Sequence, residues 1–348
     1  MGMTIEDVRK KAKEKMKGHC GVYKICDGAS NKLCQNQSYG GAIGIGGVGS
    51  GASFHNNVKA LEKIQLKMKL VSPHFEPDTT TTIFGQAVSM PIMGASVSGV
   101  NSFGGDKVIT EQDFCRDTVL GCKEANTFSF RGDTYTYDFD CTPCLDAIKE
   151  ADGLGVKICK PRAQESLLKF IELTEAAGAL AFGVDVDGCG SVTMAKYNKP
   201  VFRKSVEDLH ELVSATKLPF VVKGVMCIED ALAAVEAGAK AVVVSNHGGR
   251  VLDHTPGTAE VLPEIASEIK GKVTLFADGG VRNGYDVLKM LALGADAVLV
   301  GRDIVRAAVG GGIDGVKLHM EFLRNTLSKA MLMTGCPTLN DISSEILR

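Results

Sequence analysis

The stretch from Ala241 to Arg302 constrains the fold more than any other. Three short apolar runs rich in β-branched residues end there in polar or glycine-rich tips, SNHGGR, ADGG and VGR, with helical patterns between them. Strand, loop and helix repeated in this way are the signature of a parallel sheet covered by helices. The polar tips fall at the C-terminal ends of the strands, where α/β barrels place their active sites.

Upstream the same unit recurs. The candidate strands are Pro91–Ala95, Thr127–Phe130, Val156–Cys159, Ala181–Asp187, Pro219–Lys223, Ala241–Ser245, Val273–Ala277 and Ala297–Val300. Amphipathic stretches such as SLLKFIELTEAAG, SVEDLHELVSAT, IEDALAAVEAG and GYDVLKMLALG separate them, and three of these four end in glycine, a usual helix stop. Eight such units predict one (β/α)8 TIM barrel, an α/β fold, closed by a last helix over Val316–Thr334. The division expected is an N-terminal helical extension over 1–75, containing cysteines and glycines, packed on a barrel over 76–348. In the extension, TIEDVRKKAKEKMK reads as a charged, surface-lying helix, and residues 53–66 resume a helical pattern.

Composition excludes several classes. A net charge of −2 leaves no basic footprint for nucleic acid or for a membrane surface. No apolar run approaches the roughly 18–20 residues of a membrane helix, and the charged N-terminus lacks a secretory core. A cytoplasmic protein is expected, and the 11 cysteines read as reduced thiols rather than a disulfide framework. Cys20, Cys26 and Cys34 lack the spacing of common zinc sites, so small buried or free thiols are preferred and no metal is expected. The run GGAIGIGGVGSG between Gly40 and Gly51 lacks both the lysine of a P-loop and a preceding strand. It reads as a lid or packing loop.

The strand tips carry the chemistry. Asp278, Gly279, Gly280 and Arg282 follow the seventh strand, and Gly301 and Arg302 the eighth. Glycines let backbone N–H groups approach an anion, guanidiniums add paired donors, and barrels bind phosphate at these two loops. The sixth strand ends in Ser245, Asn246, His247, Gly248, Gly249 and Arg250. Histidine there suits proton transfer, and Arg250 suits a carboxylate. Lys223, at the end of the fifth strand, must meet an anion, such as a phosphate-bearing cofactor, or act as a Schiff-base amine. Asp185 and Asp187 alternate on the fourth strand. Asp187 would orient His247, or else serve as a cap or a satisfied interior acid.

At SNHGGR, DGGVR and ALGADAVLVGR, with VVKGV upstream, the chain resembles the FMN-dependent 2-hydroxy-acid oxidase and dehydrogenase family. The likeness is strongest from Pro219 to Asp341 and traceable from Ser53 onward. It implies FMN at the barrel mouth and oxidation of a small lactate- or glycolate-like 2-hydroxy acid. His247 would be the base and Asp187 its partner. Arg250 would bind the substrate carboxylate, and Lys223 would lie by the flavin. Asp278 would hold the ribityl chain, and Gly279, Gly280, Arg282, Gly301 and Arg302 the phosphate. Ser245, Asp185 and the segment Ser96, Val97 and Ser98 would line the flavin. A homotetramer or homo-octamer is implied as well.

The chain departs from the family's pattern at the substrate. No tyrosine stands in AIGIGG, Lys160 replaces a second tyrosine, Asp185 stands where threonine is usual, and a second arginine is missing from DVDGCGSV. Lys160, Arg162 and Arg250 are expected to make a cationic pocket for an anionic substrate. The alternative is an FMN-dependent reductase or isomerase, linked to NAD(P)H, with a rebuilt pocket. The cysteines 141 and 144, in CTPC, have no place in the family pattern.

Overall fold

The computed structural model of the chain describes residues 2–16, 47–100 and 108–348. Cys20, Cys26 and Cys34, and the glycine-rich run up to residue 46, lie outside the described residues. Helices α1 (Ile5–Lys15) and α2 (Ala52–Lys63) come first, then a hairpin of β1 (Thr81–Ile83) and β2 (Gln86–Val88). The barrel strands are β3 (Ile92–Val97), β4 (Ser129–Arg131), β5 (Gly155–Cys159), β6 (Ala181–Asp185), β7 (Phe220–Val225), β8 (Ala241–Val244), β9 (Thr274–Ala277) and β10 (Ala297–Val300). Every neighbouring pair is parallel, and β10 pairs with β3 to close the ring. The (β/α)8 barrel expected from the repeated units is therefore the fold.

Between and after the strands run α3 (Glu111–Glu124), α4 (Pro143–Glu150), α5 (Gln164–Ala176), the short α6 (Val192–Lys196), α7 (Val206–Ser214), α8 (Ile228–Glu236), α9 (Thr258–Ile269), α10 (Gly284–Ala292) and α11 (Arg302–Thr334). The strands read as unbroken apolar runs because both their faces are covered. Inward residues such as Met93, Phe128, Phe130, Val221, Val243, Phe276 and Leu299 fill the barrel. Phe84, in the hairpin turn, sets its ring 5.8 Å from Phe276 and 6.4 Å from Phe128. The hairpin thereby closes the end of the barrel where β3 begins. Outward residues such as Val222, Val242, Val244 and Leu275 join the helices in a larger outer core.

Two expected boundaries shift. The fourth strand ends at Asp185, not Asp187, because Val186–Gly190 wind into a 3-10 turn. Asp185 and Asp187 therefore do not share one strand face. The closing helix starts at Arg302, not Val316, and runs through the glycines 310–312 with only Gly312 leaving helical geometry, at φ 60° and ψ −143°. A Cβ at Gly310 would strike the backbone of Val8, so this glycine serves a helix–helix contact rather than a stop. That contact brings in α1, capped by Thr4 and Asp7. Its Val8, Ala12 and Met16 are buried, so α1 has a packed face as well as a charged one. Lys15 donates to the Val309 carbonyl at 2.9 Å, and the Arg9 guanidinium lies 4.9 Å over the Phe322 ring.

Beside Arg9 and Phe322, His319 is 2% exposed and its Nε2 has no partner. Burial pushes its pKa from 6.5 down to about 4, against the pull of Asp303. The folded state thus refuses a proton that the unfolded chain accepts below pH 6.5. This stability is full above pH 6.5 and is lost as the pH falls towards 4, by about 3 kcal/mol for a fully buried group. His319→Leu should remove that part of the acid sensitivity. Urea titrations at pH 7 and pH 4 check it; a wild type and variant that lose equal stability over this range would contradict the assignment.

Candidate active site

One cavity opens at the C-terminal ends of the barrel strands. Among its lining residues are Ser96, Val97, Ser98, Lys160, Lys223, His247, Arg250, Asp278, Gly279, Gly280, Arg282, Gly301 and Arg302. Asp185, Asp187 and Ser245 are not on its wall. Asp185 and Ser245, expected to line the flavin, stand behind the wall and hold residues that are on it. The Ser245 Oγ accepts the His247 N–H at 3.1 Å.

Asp185 is 3% exposed and sits under three cationic or titratable groups. Its Oδ2 accepts from Lys160 Nζ at 2.7 Å and lies 3.3 Å from His247 Nδ1; its Oδ1 accepts from Lys223 Nζ at 3.1 Å. Burial opposes the charge, but His247, Lys160 and Lys223 together hold the Asp185 carboxyl well below its usual range. Burial likewise opposes the charge on Lys223, and the carboxylates of Asp185, Asp278 and Asp187 outweigh it, so this lysine stays an ammonium. It offers no free amine for a Schiff base. Asp187 is pushed the other way, first by burial and then by the neighbouring Asp185 charge.

These contacts fix the imidazole. His247 Nδ1 is 3.0 Å from Asp187 Oδ1, and Lys160 Nζ is 3.1 Å from Nε2. An ammonium can only donate, so Nε2 is the acceptor and the ring proton is on Nδ1, given to Asp187. The backbone is unusual too: His247, Gly248 and Gly249 have φ of 58°, 62° and 79°. Left-handed geometry at a histidine marks local strain of the kind stored at functional sites. A Cβ on Gly249 would lie 2.5 Å from the Phe54 backbone nitrogen, so only glycine fits there. Gly49 and Ser50, at the described end of the glycine-rich run, pack on the same loop through Asp253.

The anion side forms around β9 and β10. Gly279 and Gly280 have φ of 102° and 84°, and a Cβ on either would crowd Asn57. Gly301 caps the N-terminus of α11 with no side-chain hydrogen bond, leaving first-turn amides and the macrodipole for an anion. Two buried polar atoms on this cavity, Asp278 Oδ1 and Ser98 Oγ, have no partner. Buried polar atoms are normally paired, so the pair of orphans calls for a ligand with hydroxyl or ring polar groups. A flavin nucleotide fits this donor and acceptor set.

Several site residues escaped the sequence reading. Phe54 lies under the Arg302 guanidinium at 4.2 Å and lines the cavity. Asn57 exchanges side-chain amide hydrogen bonds with Asn246 at 2.8 and 3.1 Å and accepts the Thr258 N–H, tying α2 to the rim. Both stand in the SFHNNVKALEK stretch, where a helix was expected and an inward face was readable. Arg306 lines the cavity one turn beyond Arg302. Tyr135 and Tyr197 stack at 3.6 Å on the cavity wall; they come from distant loops, and no local pattern joins them. Arg162 is not part of a cationic pocket: both of its arms are held by Asp133 at 2.7 and 2.8 Å. The position expected to lack a tyrosine, AIGIGG, lies outside the described residues except for Gly47.

Comparison with known proteins agrees with this geometry. A family model described as FMN-dependent dehydrogenase matches residues 42–199 and 190–348. A 2-hydroxyacid oxidase of Dictyostelium discoideum is 49% identical over 316 residues, covering 84% of this chain and 81% of the relative. A peroxisomal (S)-2-hydroxyacid oxidase of Arabidopsis thaliana is 31% identical over 339 residues, covering 87% and 90%. The solved structure of mandelate oxidase with benzoyl-formic acid superposes with a TM-score of 0.78 at 26% identity, covering 100% of this chain and 98% of that one.

Lys160 and Asp185, read separately as departures, form one buried ion pair. Removing one partner of such a pair strands the other's charge, at a cost of about 3 kcal/mol. Lys160→Met should cost that much in urea unfolding, and Lys160→Met with Asp185→Thr should cost clearly less than the two single changes added together. A strictly additive double variant would show that the two positions do not share their energy.

Proposed function

Because this chain belongs to the FMN-dependent dehydrogenase family, we propose that His247 is the base with which it oxidises a small 2-hydroxy acid to the 2-oxo acid. The enzyme is an FMN-dependent oxidoreductase acting on CH–OH donors. The observation that carries the role of His247 is its Nε2, an acceptor at the cavity with the ring proton committed to Asp187. Bound at the rim, FMN supplies the two-electron acceptor for the hydrogen on C2.

The remaining roles follow from the chain's own groups. The substrate hydroxyl displaces the Lys160 N–H from His247 Nε2, while Lys160 keeps its bond to Asp185. His247 takes the hydroxyl proton, and Asp187 faces the imidazolium that results. Arg250, on the cavity wall, binds the carboxylate, and Lys160 offers a further donor beside it. The Lys223 ammonium offsets negative charge at the flavin ring. Ser96 to Ser98 flank the ring, and Asp278 takes ribityl hydroxyls. The named relatives are oxidases, so the reductive or isomerising alternative is not favoured.

The same proposal places the enzyme in the cytoplasm as a homotetramer or homo-octamer, with the barrel of 76–348 carrying His247 and the helix α2 of the extension completing its rim. Its described cysteines are free thiols, and Met68, Leu70 and Val71 leave apolar surface exposed for a second copy. Light scattering at the 36.8 kDa mass of one chain would refute the assembly.

Anaerobic mixing with lactate, glycolate and mandelate tests the chemistry. One of them should bleach the flavin absorbance of the wild type. His247→Ala should keep the flavin and lose about 10²–10⁴-fold in kcat/KM, the usual contribution of a general base. A yellow variant that bleaches at the wild-type rate would remove His247 from its role.

A further inference from the structure

We propose that Cys141 and Cys144 form a redox-active dithiol that exchanges with small-molecule disulfides, on the flank of the barrel and apart from the hydroxy-acid cavity. The two thiols bracket the start of α4 in the sequence CTPC: Cys141 precedes the N-cap Thr142, Pro143 opens the helix, and Cys144 follows in the first turn. Their accessibility is divided as dithiol exchange requires. Cys141 is exposed, and Cys144 is 0% exposed. An outside disulfide reaches only the first sulfur, and the second follows three residues on, in the first turn of the helix.

The buried thiol is not packed as an ordinary apolar cysteine. Lys157, itself 0% exposed on β5, points its ammonium outward from the barrel and donates to Cys144 Sγ at 3.3 Å and to the Gly132 carbonyl at 2.7 Å. The ring of Tyr137 lies 5.0 Å from the same nitrogen, and no carboxylate is bonded to it. Burial pushes the Cys144 thiol up, and the Lys157 and Arg131 charges offset only part of that rise, so the resting group is a thiol. A fully buried ammonium whose nearest anion-forming group is a sulfur favours the thiolate of that cysteine whenever its proton can leave. Arg131 adds a second buried cation in this region, with Nε and Nη1 unpartnered and Nη2 on Cys115 Sγ at 3.3 Å. Lys157, in contact with the sulfur, is placed to stabilise the negative charge that develops on Cys144 as its proton leaves.

The exchange balances without any further reagent. Cys141 Sγ attacks one sulfur of the small disulfide; that S–S bond breaks, and one thiol leaves with the proton Cys141 gave up. Cys144 Sγ then attacks Cys141 Sγ, forming the intramolecular bond and releasing the second thiol with the proton of Cys144. The protein pair is oxidised by two electrons, and the small disulfide is reduced to two thiols. The segment that carries the pair also carries Tyr135 of the cavity wall, so the two sites share one loop.

The test uses the full-length, flavin-loaded protein, first reduced and freed of reductant. It is incubated with glutathione disulfide, quenched in acid, alkylated and digested with trypsin. The peptide from Gly132 to Lys149 contains Cys141 and Cys144 and no other cysteine. The expected wild-type peptide is 2 Da lighter than the dithiol by arithmetic on two lost hydrogens, unalkylated and without glutathione, and dithiothreitol restores both alkylation sites. In Cys144→Ala the same treatment should trap glutathione on Cys141, because nothing resolves the mixed disulfide. A wild type that keeps a stable glutathione adduct on Cys141, or whose two thiols are both alkylated after the treatment, would overturn the proposal. Neither result bears on His247 chemistry, since the readout is the peptide mass.

Discussion

The site depends on one buried carboxylate. Asp185 holds two ammonium groups and lies within reach of an imidazole, all inside the barrel rim. Burying a carboxylate is tolerable only when it is paired and hydrogen-bonded, and here the pairing is shared among β5, β7 and the loop after β8. Each partner thereby gains a fixed place. Lys223 is aimed at the cavity, Lys160 is set against His247 Nε2, and His247 is left with Nδ1 for Asp187. A neutral residue at 185 would leave two buried ammonium groups facing each other across the rim.

The barrel was legible because its periodicity is strong and local. Each strand is an apolar run and each helix an amphipathic one, so the eight units stand out without any knowledge of their partners. The glycine and arginine tips were legible for a related reason: a strand end fixes where they point. The boundary at Asp185 was not, since VDVDG continues the alternation of a strand and only the geometry of the rim turns it into a 3-10 turn. Nor was the start of α11, because three glycines in a row read as a stop when nothing shows that Val8 packs on them.

Long-range pairing was the main loss. Lys160 and Asp185 each look like an isolated departure from the family pattern, and only the closed barrel brings β5 and β6 together so that the two charges cancel. Phe54 and Asn57 belong to a helix that a linear reading assigns to an outer extension. In the fold they complete the rim, with Asn57 clasping Asn246 and backing the glycines at 279 and 280. The chain near the N-terminus is therefore part of the site rather than a cover over it.

The charge balance also shapes the pocket. Of the three cations expected to make the pocket strongly positive, Arg162 is taken up by Asp133 and Lys160 by Asp185. Arg162 and Asp133 cancel, whereas the almost fully buried Asp185 answers both Lys160 and Lys223. The rebuilt pocket carries more ionisable residues than the family pattern, yet Lys160 and Arg162 are engaged with buried carboxylates, and the stacked Tyr135 and Tyr197 give its wall an aromatic face.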